Sequence, residues 1–267
     1  MKAKLMYLLC VFQISFGANL LNAQKTVGLD NWFNHEMIAA TGNPFHYTWN
    51  DTLNSGFSRL GEIFVSNGAQ LVTLTGKPER KTLKEVDIYI IVDPDTTSEN
   101  PRPNYIGPDD VKSICKWVKN GGILLLMGND GPNCEFTHFN TLAVKFGFYF
   151  HPVTLNPVTG KNWEMGAETN LPDHPLFKGV NKIYMKEVAP ISVTGKAKPV
   201  LMDGDAVFIA ETTYGKGYVM AVGDPWLYNE YIDNRRLPPD FENLKAADNL
   251  AGYLLRKSPI TSGDSVP

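Results

Sequence analysis

The chain has 267 residues, 43% hydrophobic and 20% charged, with 25 Lys and Arg against 28 Asp and Glu. A formal charge of −3 excludes the broad basic footprint that nucleic acid or an anionic membrane surface demands, and 11% aromatic content argues against disorder over most of the length. Three cysteines are too few for a disulfide scaffold, and the length suits one large α/β domain.

Lys2 and Lys4 precede the apolar run Leu5-Met6-Tyr7-Leu8-Leu9-Cys10-Val11-Phe12, and the segment closes on Leu21-Asn22-Ala23. A basic start, an apolar stretch too short to span a bilayer and a small terminal residue predict a secretory signal peptide over residues 1–23, hence export and a periplasmic location. Its loss removes two lysines and no acid, leaving the remainder more acidic. Of the two other cysteines, Cys115 shares a helical face with Val111, Ile114 and Val118 and reads as a core residue, while Cys134 falls in a polar loop. Free thiols are the default expectation; a bridge is permitted but not required.

Residues 24–257 then alternate strand and helix, with a polar tail over 258–267. Lys25 to Asp30 opens as a strand. Helical spacing around Ser58 to Val65 stops at Asn67-Gly68 and feeds a strand over Ala69 to Leu74. Val86 to Val92 is a continuous apolar run of the kind buried on both faces. Pro108-Asp109-Asp110 starts a helix that runs to Lys119 and is ended by Asn120-Gly121-Gly122 before the strand Ile123 to Met127. A helix over Thr137 to Lys145 precedes a strand over Phe148 to Phe150. An irregular excursion covers 152–200. Two strands, Ala206 to Ala210 and Gly217 to Val222, flank the hairpin signal Tyr214-Gly215-Lys216. A closing helix over 239–256 turns Phe241, Leu244, Ala247, Leu250, Ala251 and Leu254 inward. The predicted fold is a flavodoxin-like three-layer sandwich, a mainly parallel sheet with a late antiparallel hairpin.

Ligands of such sheets sit beyond the carboxyl ends of the strands. Five predicted strand ends are polar, and their side chains nominate a site: Asn34, His35 and Glu36; Asp93 and Asp95; Asn129, Asp130, Glu135 and His138; His151; and Asp224, Trp226 and Tyr228. Aromatic rings beside carboxylates and amides suit a sugar. Glu36, Asp130 and Asp224 are the candidates for acid and base in glycoside hydrolysis, with His35 or His138 in support. His174 reads as a turn residue. No metal-binding spacing such as HExxH is present, and GxSxG, Walker and GxGxxG motifs are missing, so no metal and no cofactor is expected. Few basic residues lie near the strand ends beyond Lys77, Arg102 and Lys161, which favours neutral sugars or a protein partner.

The run Leu124-Leu125-Leu126-Met127-Gly128-Asn129-Asp130-Gly131 resembles the nucleophile elbow of the class I glutamine amidotransferase-like fold, and Gly217 to Pro225 resembles its late strand. More narrowly, Asn31-Trp32-Phe33-Asn34-His35-Glu36, Ile90 to Thr96, Asn133 to His138, Asn162 to Gly166 and Gly223 to Glu230 resemble the amidotransferase-like domain associated with unsaturated rhamnogalacturonyl hydrolases of gut Bacteroidetes. The resemblance implies a catalytic Cys at the elbow, where Asn129 or Asp130 stands instead, and a His on the late strand, where Asp224 stands. The triad is missing, so glutaminase activity is not expected. What remains is an accessory or carbohydrate-binding module in rhamnogalacturonan degradation, its partner an oligosaccharide or a glycoside hydrolase. The alternatives are a periplasmic carbohydrate hydrolase and a structural module assembling with a second copy.

Overall fold

The computed structural model describes residues 24–257 apart from Ala39. The segments predicted as a signal peptide, 1–23, and a polar tail, 258–267, lie outside the described residues. Among the described residues, no helix is long and apolar enough to cross a membrane.

The first half follows the sequence closely. Strand β1 (Thr26–Asp30) leads to helix α1 (Ser58–Ser66), which ends at Asn67, and then to β2 (Gln70–Leu74). A single turn, α2 (Arg80–Leu83), precedes β3 (Ile88–Val92), whose five residues are all buried. Helix α3 (Pro108–Lys119) has Pro at its start, and the Asp110 carboxylate accepts from the Gly107 amide, a cap that fixes where it begins. Next come β4 (Ile123–Met127) and α4 (Phe136–Ala143). The 152–200 excursion contains only short elements: β5 (Phe148–Phe150) just before it, then β6 (Ala167–Glu168), β7 (Ile183–Tyr184) and β8 (Ile191–Val193). Strands β9 (Lys198–Asp203), β10 (Ala206–Tyr214) and β11 (Gly217–Val222) follow, and α5 (Asn229–Ile232) and α6 (Asn243–Lys257) close the chain.

Seven strands make one sheet in the order β2-β1-β3-β4-β11-β10-β9. The first five run parallel, and β10 and β9 are antiparallel additions on the far side. This is the doubly wound flavodoxin-like arrangement, in which the chain moves outward from β1 to β2 and then reverses to β3 on the other side. Alternation along each strand divides the core in two. Val27, Leu29, Ile88, Ile90, Leu125 and Met220 face α1 and α6, while Tyr89, Ile91, Leu124, Leu126 and Val219 face α3 and α4.

Three expectations are corrected. Strand β5 pairs only with β8, in a separate antiparallel ribbon. His151 is therefore not on the sheet's edge; it pairs with Ser192, and four strand ends converge, not five. Leu244, expected inward, is 53% exposed, and α6 turns Asn243, Ala246, Ala247, Leu250, Ala251, Tyr253 and Leu254 to the core. Phe241 is buried but precedes the helix. Strand β9 was not anticipated. Both described thiols are free, Cys115 half-buried and Cys134 buried.

Glu211, on β10, ties the far edge to α6. It accepts from the Tyr218 and Tyr253 hydroxyls and lies 3.4 Å from His174 Nε2. His174 Nδ1 accepts from the Leu176 amide, capping a turn as the sequence suggested. Burial alone would raise the Glu211 carboxyl, but these donors outweigh it and hold it down at about 2.

Candidate functional site

The β1 end is organised by Asp30. Its Oδ2 accepts from the amides of Trp32, Phe33 and Asn34, and its Oδ1 from the Tyr89 hydroxyl. These bonds curl residues 31–34 over the strand end, so that Asn34 Nδ2 reaches the Asp93 carbonyl at 2.9 Å. Asp95 continues the clasp by accepting from the His35 amide and from Asn100 Nδ2. Burial outweighs these bonds and lifts Asp30 and Asp95 each to about 6.

The β3 end carries the strain. Asp93 has φ +45°, a left-handed backbone that a non-glycine residue adopts at a cost of about 1–3 kcal/mol. Residues 128–135 after β4, where the elbow was expected, make a loop with no left-handed residue. The sharp strand-end turn is thus at Asp93, not at Asn129 or Asp130. Asp93 Oδ2 accepts from Asn129 Nδ2 at 2.8 Å, and the same amide reaches the Tyr47 hydroxyl at 3.3 Å. Burial first, then the charges of Glu99 and Glu36, push the Asp93 carboxyl well above its usual range.

At the β11 end Gly223 is required by close approach: a Cβ there would lie 2.1 Å from the Ala189 carbonyl oxygen. This packing seats Asp224 beneath the segment 186–189. Asp224 accepts from the Tyr228 hydroxyl at 3.2 Å and from the Lys186 amide at 3.3 Å. Burial lifts it to about 7, against the nearby Lys186 charge. The Tyr47 and Tyr228 rings lie 5.7 Å apart, and both phenols, buried beside Asp93 and Asp224, stay protonated well above the usual range. Asp93, Asn129, Tyr47, Tyr228 and Asp224 therefore form one buried polar cluster across the ends of β3, β4 and β11.

The other nominated residues divide by what they touch. Glu36 pairs with His46 at 3.1 Å on the β1 side. Asp130 is half-buried, accepts from Asn133 Nδ2 at 2.7 Å and is raised by burial, with the Glu187 and Lys186 charges also acting on it. Glu36 thus belongs to the His46 side, whereas Asp130 and Asp224 share the Lys186–Glu187 side. Glu135 caps α4, its carboxylate accepting from the amides of Thr137 and His138, so helix capping accounts for it. His138 lies 3.2 Å from Glu135 and stacks on Tyr105. Trp226 is 1% exposed within the core, so its ring offers no face to a ligand. Among the described residues, no group of three or more His, Cys, Asp or Glu is placed to hold a metal ion.

Sequence reading missed Tyr47, His46 and Lys186. His46 and Tyr47 are consecutive left-handed residues, φ +57° and +45°, in an irregular segment with no periodic signal. Lys186, which donates to Glu187, supplies a cation beside Asp224 and Asp130. The cluster can donate and accept hydrogen bonds in a hydroxyl-rich environment. It holds no thiolate: Cys134, behind the β4 loop, is buried and pushed well above the usual thiol range by that burial and by Asp93.

No protein-family profile matches the chain, and no curated protein matches it. Solved structures do. The mmIFT52 N-terminal domain aligns with 91% of this chain and all of its own, at 17% identity and TM-score 0.64. Cytoplasmic protein STM1381 from Salmonella typhimurium LT2 aligns with 88% of this chain and all of its own, at 15% identity and TM-score 0.58. The cold-adapted β-galactosidase from Rahnella sp. R3 aligns over 91% of this chain but 33% of its own, at 13% identity and TM-score 0.52. At such identities the likeness is one of fold: a mixed α/β, mostly parallel sheet compatible with the glutamine amidotransferase-like architecture.

Proposed function

We propose that this chain is an exported, periplasmic accessory module that binds hydroxyl-rich carbohydrate, or the glycoside hydrolase acting on it, in rhamnogalacturonan degradation. The observation that carries the proposal is the cluster at the strand ends, where acids, an amide and phenols gather; the resemblance would put a nucleophile at Asn129 or Asp130 and its base at Asp224. Hydrogen-bonding groups of both senses suit sugar hydroxyls, and Asp130 and Lys186, both half-buried beside the cluster, are the side chains a ligand would meet first. The same fold forming one third of a β-galactosidase chain is consistent with a module that accompanies glycosidases. The narrower kinship with unsaturated rhamnogalacturonyl hydrolase systems rests on the sequence runs quoted above.

Catalysis by the paired carboxylates is the weaker reading, because Glu36 is committed to His46 while Asp130 and Asp224 lie with Lys186. Titration calorimetry of residues 24–267 against rhamnogalacturonan oligosaccharides is expected to give saturable heat, weakened at least fivefold by Asp130→Ala. Heat that is undetectable, or unchanged in Asp130→Ala, contradicts carbohydrate binding at this edge and leaves a purely structural module.

A further inference from the structure

A second site lies away from the strand ends. Helices α3 and α4 enclose a cleft of about 800 Å³, within the range of roughly 300–1,000 Å³ that small-molecule pockets occupy. Ile106, Val111 and Tyr214 give it an apolar lining. Tyr105 and His138 also line it, their rings stacked on each other at 4.5 Å with 15° between their planes. Asp93 and Asp224 are not among its lining residues.

The charge in the cleft is unbalanced. Lys112 from α3 and Lys145 from the turn after α4 both line it, both are exposed, and neither makes an ion pair or hydrogen bond among the described residues. No Asp or Glu lines the cleft to offset them. Two unpaired cations beside an apolar lining and a stacked ring pair are the complement of an amphipathic anion. Cys115, half-buried on α3, also lines the cleft and lies within reach of the Lys145 charge.

We propose that this cleft binds a small organic anion with a flat apolar body, such as an aromatic carboxylate. The apolar body lies among Ile106, Val111, Tyr214 and the Tyr105–His138 pair, and the carboxylate is taken by Lys112 and Lys145. The site is independent of the carbohydrate reading, and either stands if the other fails.

Cys115 is a built-in reporter of occupancy. Alkylation of the full chain by N-ethylmaleimide, followed at the Cys115 peptide by mass spectrometry, is to be measured with 2-naphthoate and with the uncharged 2-naphthalenemethanol. Saturable slowing by at least fivefold with naphthoate is expected, the alcohol needing about tenfold higher concentration. The double variant Lys112→Gln/Lys145→Gln, changed only at exposed positions, is expected to reduce naphthoate protection to that of the alcohol. Absence of saturable protection, equal protection by the alcohol, or protection unchanged in the double variant would overturn the proposal.

Discussion

The melting temperature of this protein is expected to fall by about 6 °C or more between pH 5 and pH 8, the reverse of what a surface of paired carboxylates gives. The cause is the set of buried acids. Asp30 and Asp95 titrate at about 6, Asp224 and Glu168 at about 7, and Asp93 well above its usual range. In the unfolded chain all five lose their protons near pH 4. Between that pH and 7 the folded chain holds protons that the unfolded chain has released, so stability falls as pH rises. Asp224, fully buried and carried from 3.8 to about 7, is worth on the order of 2–4 kcal/mol of this loss. For a domain of this size each kcal/mol moves the midpoint by about 2–4 °C. Glu211, held at about 2, acts in the opposite sense but lower: its contribution is present above pH 4.5 and lost as pH falls toward 2. The optimum therefore lies near pH 5. Scanning calorimetry from pH 4 to 9 tests this, and a midpoint that is flat or rises toward pH 8 would contradict it. Asp224→Asn, which mimics the protonated acid, should remove the Asp224 share of the slope and leave that of the other four acids.

Replacing Asp30 by Ala is expected to destabilise the fold by about 3–5 kcal/mol, although no ligand need touch that side chain. Three backbone amides and the Tyr89 hydroxyl lose their acceptor at once, at a position 2% exposed. Water cannot replace it without opening the loop. Asn34 then loses its hold on the Asp93 carbonyl, and the effect passes from the end of β1 to the strained end of β3. Asp30→Asn keeps one acceptor oxygen and should cost less, about 1–2 kcal/mol. Urea unfolding of the two variants measures the difference. Equal stability of Asp30→Ala and the parent would show that the loop is held by other means.

Much of this fold was legible in the sequence because the signals were local. The apolar runs at Ile88–Val92 and Ile123–Met127 and the Pro108 start of α3 fall where expected, and Tyr214-Gly215-Lys216 makes the anticipated hairpin, with Gly215 at φ +62°. The failures share a physical cause. Phe148–Phe150 is too short a strand to state its partner, and it joins β8, not the main sheet. Lys198–Asp203 contains Pro199, which argues against a strand unless that strand lies at the sheet's edge, as β9 does. Leu244 was placed inward by periodicity, but the face that α6 buries is set by Asn243, whose amide bonds Tyr184 and so fixes the helix rotation.

The site was half legible. Polar residues after β1, β3, β4 and β11 do converge, and Asp93, Asn129, Asp224 and Tyr228 were nominated from that position alone. Tyr47 was not, because it arrives from an irregular segment through two left-handed residues. Nor was Lys186, which is placed by the packing of residues 186–189 against Gly223. Conversely Glu135 and Trp226 have the right residue types but are absorbed by a helix cap and by the core. Residue type and strand-end position find the neighbourhood; long-range contacts decide which side chains meet.

The proposal that the strand ends bind carbohydrate without turning it over is open to a direct test. Prolonged incubation of residues 24–267 with rhamnogalacturonan oligosaccharides, and separately with glutamine, followed by assay of new reducing ends and of ammonia, tests it most directly. Neither product is expected above the blank. Reducing ends that accumulate with the parent and are lost in Glu36→Gln or Asp130→Asn would contradict it.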